Sequence, residues 1–261
     1  MKWMSRLVAL AVVLVVPPGL LAQTAAPSGR AAAVPDLSGL WDNSHLAFGN
    51  PFADDPTRGF IGPGDIPFFG FTKQGPEMLP WAAAKYKERR TNLVRGPWDR
   101  GNDDFDPIHS CFPHGPTRMF TAPRPFELRQ LPDVVLLLFE SDHWVRRVYL
   151  DGRGHPDGYP ITWMGHSVGR YDGDSLVADT IGMRAETWLD TLGHPHSEAL
   201  HVVERFRRLD PARLQIDFLF EDPETYTRPW TGKKIFQRAP PSFDILEVVQ
   251  CEEWLELGTK R

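Results

Sequence analysis

This chain of 261 residues has few cysteines, no excess of positive charge and no apolar run long enough to cross a membrane. Its 2 cysteines, Cys111 and Cys251, lack the C-x-x-C spacing that is typical of thiol redox motifs and zinc sites. Acidic residues outnumber basic ones by 34 to 29, which argues against nucleic acid as a partner. The sequence carries no dinucleotide, flavin or haem-attachment motif, so we predict none of these cofactors.

The longest apolar run is N-terminal, at residues 7–16. Lys2 and Arg6 precede it, and two prolines and small residues follow it. This order is typical of a secretory signal peptide, which we place at residues 1–22. We therefore predict a mature protein that is periplasmic or secreted and has no membrane span. Residues 23–35 consist mostly of Ala, Pro, Ser and Gly, a composition typical of a linker.

The remaining residues, 36–261, are predicted to form a single, mainly β domain. The 25 prolines of the whole chain make up about twice the usual share, which disfavours long helices. Short runs with β-type composition follow one another between turn signals. The predicted strands are 126–131, 134–140, 145–150, 167–171, 176–180, 200–208, 214–221, 235–238 and 243–251. So many strands at short spacing indicate a mostly antiparallel sheet that closes into a β-barrel.

The N-terminal part of this domain has a different pattern. Residues 42–71 combine Phe with frequent Gly and Pro and show no regular period, so we predict a long aromatic arm. This arm is either a lid over a pocket or an interface between copies in an oligomer. The only predicted helix covers residues 76–94, and its basic run is interpreted as a solvated face. In an exported protein Cys111 and Cys251 are expected to form a disulfide, although a reactive thiol stays an alternative.

Histidine is concentrated in one part of the chain, because five of the nine histidines lie between residues 155 and 201. In an extended segment alternate side chains share a face, so His194, His196 and Glu198 are expected to project together. The candidate catalytic residues are His166, His194, His196, His201, Asp190 and Glu198. No metal is favoured, and the alternative is a divalent metal held by His194, His196 and His166.

Several aromatic and basic residues near these histidines are candidates for substrate binding. Arg146 and Arg147 are neighbours in a predicted strand, so one of them must face inward. A buried arginine needs an acidic partner, either a structural one such as Glu204 or an anionic substrate. The candidate substrate-binding residues are Trp163, Trp188, Arg146, Tyr171 and Tyr149. They indicate a pocket for an aromatic or apolar small molecule.

The segment Gly165-His166-Ser167-Val168-Gly169 matches the letters of the G-x-S-x-G nucleophile elbow. That motif requires a strand, a sharp turn and a helix, whereas here the pattern predicts a strand entering a hairpin. We therefore do not favour a serine hydrolase.

Two stretches, 163–180 and 187–206, carry the patterns G-H-S-x-G-R-x-x-G-D-x-L-V-x-D-T and T-W-L-D-x-x-G-H-P-H-S-E-x-L-H-V-x-E-R-F. They resemble an uncharacterised family of secreted proteins from environmental bacteria, and this resemblance implies export. Gly39-Leu40-Trp41 looks like the G-x-W opening of lipocalin-like (calycin) barrels. That resemblance implies a ligand cavity inside the barrel and does not by itself imply catalysis.

These observations favour an exported small-molecule enzyme in which histidines act as general acid and base. The absence of redox cofactor motifs favours a lyase or an isomerase. Two alternatives stay open: a metal-dependent hydrolase or oxygenase, and a lipocalin-like protein that binds a ligand without catalysis.

Overall fold

The computed structural model describes residues 34–42, 61–62, 66–67, 69–95 and 106–246. The predicted signal peptide, nearly all of the predicted linker and much of the aromatic arm lie outside these residues. No helix within the described ranges combines the length and the apolar character that a membrane span requires.

The prediction of a mainly β barrel with one helix is confirmed. The strands are β1 (Gly39–Asp42), β2 (Ile61–Gly62), β3 (Ile66–Pro67), β4 (Phe126–Gln130), β5 (Val134–Phe139), β6 (Val145–Tyr149), β7 (His166–Asp172), β8 (Ser175–Ile181), β9 (His201–Asp210), β10 (Arg213–Glu221) and β11 (Trp230–Arg238). The helix α1 is Pro80–Arg95, and two short 3₁₀ helices cover Pro107–Ser110 and Arg118–Thr121.

Nine of these strands close into a barrel in the order β1-β11-β10-β9-β8-β7-β6-β5-β4. Closure depends on β1, which pairs antiparallel with β4 on one side and with β11 on the other. The other neighbours are also antiparallel, except that β6 and β7 run parallel. Strands β2 and β3 pair with each other in a separate two-stranded sheet.

The predicted strand at residues 243–251 is wrong over its described part, because residues 243–246 are not in a strand. Pro240 and Pro241 lie between the end of β11 at Arg238 and this segment, and proline cannot donate a hydrogen bond to a sheet ladder. The closing position belongs instead to β1, which the strand prediction did not include. Strand β11 also begins earlier than predicted, at Trp230 instead of Ile235.

Alternating side chains fill the middle of the barrel. In β10 Leu214, Ile216 and Phe218 are buried, while the residues between them are more exposed. Phe120, from the second 3₁₀ helix, lies inside the barrel. Its ring centroid is 5.3–6.1 Å from those of Phe126, Phe139, Phe206, Phe218 and Phe236. The middle of the barrel is therefore occupied by packed aromatic rings.

The candidate site lies at one end of the barrel. Strands β8 to β11 are antiparallel neighbours, so the β8–β9 connection (182–200) and the β10–β11 connection (222–229) leave from the same end. A shared carboxylate joins them, because the backbone N–H and hydroxyl of Ser197 both donate to Asp222 at 2.7 Å. We call this region the loop end.

Helix α1 packs on the loop end. It begins at Pro80, a position where the missing N–H of proline costs nothing. The indole N–H of Trp81 donates to the backbone oxygen of Glu224 at 2.8 Å. Further along the helix, the guanidinium of Arg89 donates to the backbone oxygen of Gly193 at 3.3 Å. The helix is thus fixed to both connections.

Candidate functional site

A tight turn in the β8–β9 connection places Asp190 beside His194. The backbone N–H of Gly193 donates to the Asp190 backbone oxygen at 3.2 Å, and the N–H of Leu189 donates to the His194 backbone oxygen at 2.9 Å. Gly193 has a φ of +93°, which a residue with a side chain rarely adopts. The turn brings His194 Nδ1 to 2.7 Å from Asp190 Oδ2.

The hydrogen bond to Asp190 determines which nitrogen of His194 is available. A carboxylate accepts hydrogen bonds, so Nδ1 carries the proton in the neutral ring and Nε2 carries the lone pair. Nε2 is buried and has no hydrogen-bond partner among the described residues. The two side chains are 5% and 1% exposed, which limits competition by water. This arrangement is that of an oriented general base.

Aromatic rings border His194. The Tyr86 ring from α1 is stacked on the imidazole, with centroids 4.2 Å apart, and the Trp230 centroid is 6.4 Å away. Burial, together with the negative charge of Asp190, raises the pKa of Tyr86 to about 12. Its phenol therefore stays protonated at neutral pH and can donate a hydrogen bond. Neither of these two rings was among the candidate substrate-binding residues.

Lys234 is a buried cation that sequence reasoning missed. It lies on the inward face of β11 and is only 4% exposed. Burial lowers its pKa to about 7, although the charge of Asp190 acts in the opposite direction. The signal was present in the sequence, because Phe236 was in a predicted strand and alternation places Lys234 on the same face. The prediction began at Ile235 and therefore excluded it.

The helix residue Arg89 also corrects a prediction, because it does not lie on a solvated face. It is 6% exposed, and its guanidinium carbon is 5.0 Å from the centroid of the Trp188 ring. Arg118 lies at 4.8 Å from the same ring. Trp188, predicted to bind substrate, is thus enclosed by two guanidinium groups within the protein.

His196 is close to His194 in sequence but has a different environment. Its Nδ1 donates to the backbone oxygen of Ser197 at 2.9 Å, and Nε2 lies 2.7 Å from the hydroxyl of Thr187. Burial lowers the pKa of His196, so the neutral ring is favoured. Both nitrogens are engaged, as in a structural histidine. Glu198 is exposed, so it does not project with the two buried histidines.

His166 and His201 belong to a separate group on the outer face of the barrel. His155 Nδ1 lies 2.9 Å from His166 Nδ1, and Asp179 Oδ1 lies 3.0 Å from His155 Nε2 and 2.9 Å from His201 Nε2. His201 Nδ1 reaches Glu221 at 2.9 Å. We call these five residues the outer histidine chain. None of its contacts among the described residues involves His194 or His196.

The pKa shifts in the outer histidine chain follow from these contacts. The hydrogen bond to Asp179 raises the pKa of His201, and the hydrogen bond to His201 lowers that of Asp179. Burial and the neighbouring His155 lower the pKa of His166. Proximity in sequence could not reveal this separation, because the five residues of the outer histidine chain lie on four strands, β7 to β10, and on the loop before β7.

Arg146 faces the barrel interior, where an internal acid satisfies it. Its guanidinium donates to both carboxylate oxygens of Glu204, and also to Thr180 at 2.8 Å and to Ser167 at 3.1 Å. This geometry favours the structural ion pair over a substrate contact. It also places Ser167 inside a barrel strand, away from any strand–turn–helix elbow.

The other predicted substrate residues lie elsewhere. Trp163 stacks on Phe112 at 5.0 Å. The Tyr171 hydroxyl accepts a hydrogen bond from Gln130 at 2.8 Å. Tyr149 is stacked on His166 at 5.6 Å, in contact with the outer histidine chain. Cys251 lies outside the described residues, so its disulfide with Cys111 stays a prediction.

In the described part of the chain, no group of three or more His, Cys, Asp or Glu residues is arranged to hold a metal ion. Comparison with known proteins adds no family: no family model, no curated protein and no solved structure matches this chain.

Proposed function

We propose that the protein is an exported enzyme that moves a proton on an aromatic or apolar small molecule, with His194 as the general base. The single observation that carries this proposal is the state of His194. One nitrogen is held by Asp190, while the other is buried among aromatic rings without a hydrogen-bond partner among the described residues. The resemblance to secreted bacterial proteins and the leader-like N-terminus support export.

The proposed chemical step begins with abstraction of a proton from an acidic C–H bond by His194 Nε2. The Asp190 carboxylate stabilises the imidazolium that forms and keeps the ring oriented. The protonated phenol of Tyr86 can then donate a hydrogen bond to an atom on which negative charge develops. Return of the proton at another position gives isomerisation, and loss of a leaving group gives elimination.

Histidine suits this role because its proton affinity lies near physiological pH. Compared with the prediction from sequence, the proposal now assigns the base to His194 alone. His196 orders the loop, and His166 and His201 belong to the outer histidine chain.

The test uses nitrobenzisoxazole, a flat aromatic compound from which one base removes a ring proton. Removal of that proton breaks the ring N–O bond and gives a coloured phenolate, so turnover is visible without knowledge of the natural substrate. We expect the purified protein to accelerate this elimination, and the His194→Gln variant to lose about 10²- to 10⁴-fold of the acceleration.

His201→Gln is the matched control, because it removes a half-buried imidazole from the outer histidine chain and should leave the rate unchanged. Equal rates in the wild-type protein and the His194→Gln variant, or no acceleration by either, would contradict the proposal. Binding of the probe without turnover would favour a ligand-binding protein instead.

A further inference from the structure

A segment that the proton-transfer proposal does not use, residues 71–79, runs from β11 to the β10–β11 connection. We call this segment the strap. At one end the backbone N–H of Lys233 donates to the backbone oxygen of Phe71 at 3.0 Å. At the other end the backbone N–H of Leu79 donates to the backbone oxygen of Thr225 at 2.8 Å. The strap is therefore fixed at both ends to the barrel and its connections.

The middle of the strap is held less firmly than its ends. Gln74 and Gly75 are exposed, and Pro76, which follows them, has no backbone N–H. No backbone–backbone hydrogen bond joins any of these three residues to another described residue. The middle can therefore move aside while the two ends stay in place.

Gly75 lies directly against His194 Nε2, the nitrogen assigned as the base. A Cβ added at Gly75 would lie 3.5 Å from Nε2. Apart from the glycine and its two chain neighbours, it would meet no other heavy atom of the described residues within 4 Å. A carbon that gives its proton to a base must approach it to about 3–3.5 Å. The place of the missing Cβ therefore coincides with the place of a reacting substrate carbon.

From this coincidence we infer that Gly75 forms the entrance to His194 Nε2 and determines which substrates reach it. The inference rests on the proposed function for the role of His194. Space beside Nε2 exists where the strap lacks a side chain, so the carbon that loses its proton must lie on an unbranched edge of the substrate. The substrate class is thus a flat compound with its acidic C–H bond on such an edge. A compound branched at that carbon would collide with the strap.

The substitution Gly75→Ala tests this inference, because it adds one methyl group beside Nε2 and removes no polar group. Gly75 has no positive φ, and the added Cβ would be at an ordinary contact distance, so the variant should fold with an unchanged thermal midpoint. Gly154→Ala is the matched control. Gly154 is also exposed and has no positive φ, and an added Cβ there would meet nothing within 4 Å.

The first measurement is chemical access to Nε2, which does not depend on catalysis. Diethyl pyrocarbonate transfers an ethoxycarbonyl group to an unprotonated imidazole nitrogen, and peptide mass spectrometry locates the added group. We expect modification of His194 in the wild-type protein and at the same rate in Gly154→Ala. In Gly75→Ala we expect it to be at least about tenfold slower, because the methyl group occupies the approach to Nε2.

The second measurement is elimination of nitrobenzisoxazole, whose reactive C–H bond lies on a flat, unbranched edge. Gly75→Ala should lower the rate by about tenfold or more, and Gly154→Ala should leave it unchanged. Modification of His194 at equal rates in all three proteins, or in none of them, would overturn the inference. The expected pattern of modification without accelerated elimination would instead support the entrance and contradict the proposed base.

Discussion

The middle of the barrel and its loop end differ in how completely their buried polar groups are hydrogen-bonded. In the middle, the charge of Arg146 is paired with Glu204, and Ser167 and Thr180 accept further hydrogen bonds. At the loop end, His194 Nε2, Trp230 Nε1 and Thr225 Oγ1 are buried without a hydrogen-bond partner among the described residues.

This difference indicates which region serves the stability of the barrel and which is the candidate for function. A buried polar group without a partner costs about 1–3 kcal/mol, so its presence in a folded protein calls for an explanation. The polar groups around Arg146 satisfy one another within the barrel, so this network is explained as a structural element. The atoms at the loop end are explained if a ligand supplies the missing hydrogen bonds, which is why we place the function there.

The largest expected effect comes from breaking the network in the middle. Arg146→Met leaves the Glu204 carboxylate buried without its cation, and should lower the free energy of unfolding by about 3–5 kcal/mol. The double variant Arg146→Met/Glu204→Leu removes both charges and should recover most of that loss. Denaturant unfolding measures both values. A double variant as unstable as the single one would show that the charges are not the cause.

A smaller effect on the free energy of unfolding is expected when the same substitution is made at two tryptophans. Trp41 is fully buried, and its indole N–H donates to the backbone oxygen of Leu37 at 3.0 Å, whereas the indole N–H of Trp230 has no partner among the described residues. Substitution by Phe removes a similar volume at each position. Trp41→Phe should therefore lower the free energy of unfolding by about 1–3 kcal/mol more than Trp230→Phe. Equal losses would mean that the Trp230 N–H is satisfied in solution.

The barrel was predictable because its information is local. Alternation of apolar and polar residues, with turn signals between the runs, indicated each of the strands β4 to β11. The failures were the strand predicted at 243–251, which is wrong over its described part, the unpredicted strand β1 and the late start of β11. Trp230 to Lys234 includes a glycine and two lysines, so the pattern concealed the first half of β11. The glycine is explained only by the approach of Phe71, a contact between distant parts of the chain.

The site was predictable only in part. Asp190 and His194 are four residues apart, so a local turn brings them together, and both were among the candidates. Tyr86 and Lys234 come from α1 and β11, which are distant in sequence from that turn. His166 and His201 were grouped with His194 because of histidine density. Their actual partners depend on strand register, which density does not reveal.

The smallest effect on the free energy of unfolding is expected in the outer histidine chain. Each nitrogen of His201 there lies within hydrogen-bonding distance of a carboxylate. The pKa of His201 is raised in the folded protein, so its stabilising contribution is complete below the unfolded value of about 6.5 and is lost as pH rises through the folded value. His201→Gln should therefore destabilise the protein most near pH about 6 and least near pH about 9. Because His201 is partly exposed, we expect at most about 1 kcal/mol. Unfolding curves across this range measure the difference, and a difference that grows with pH would show that Asp179 does not hold the proton on His201.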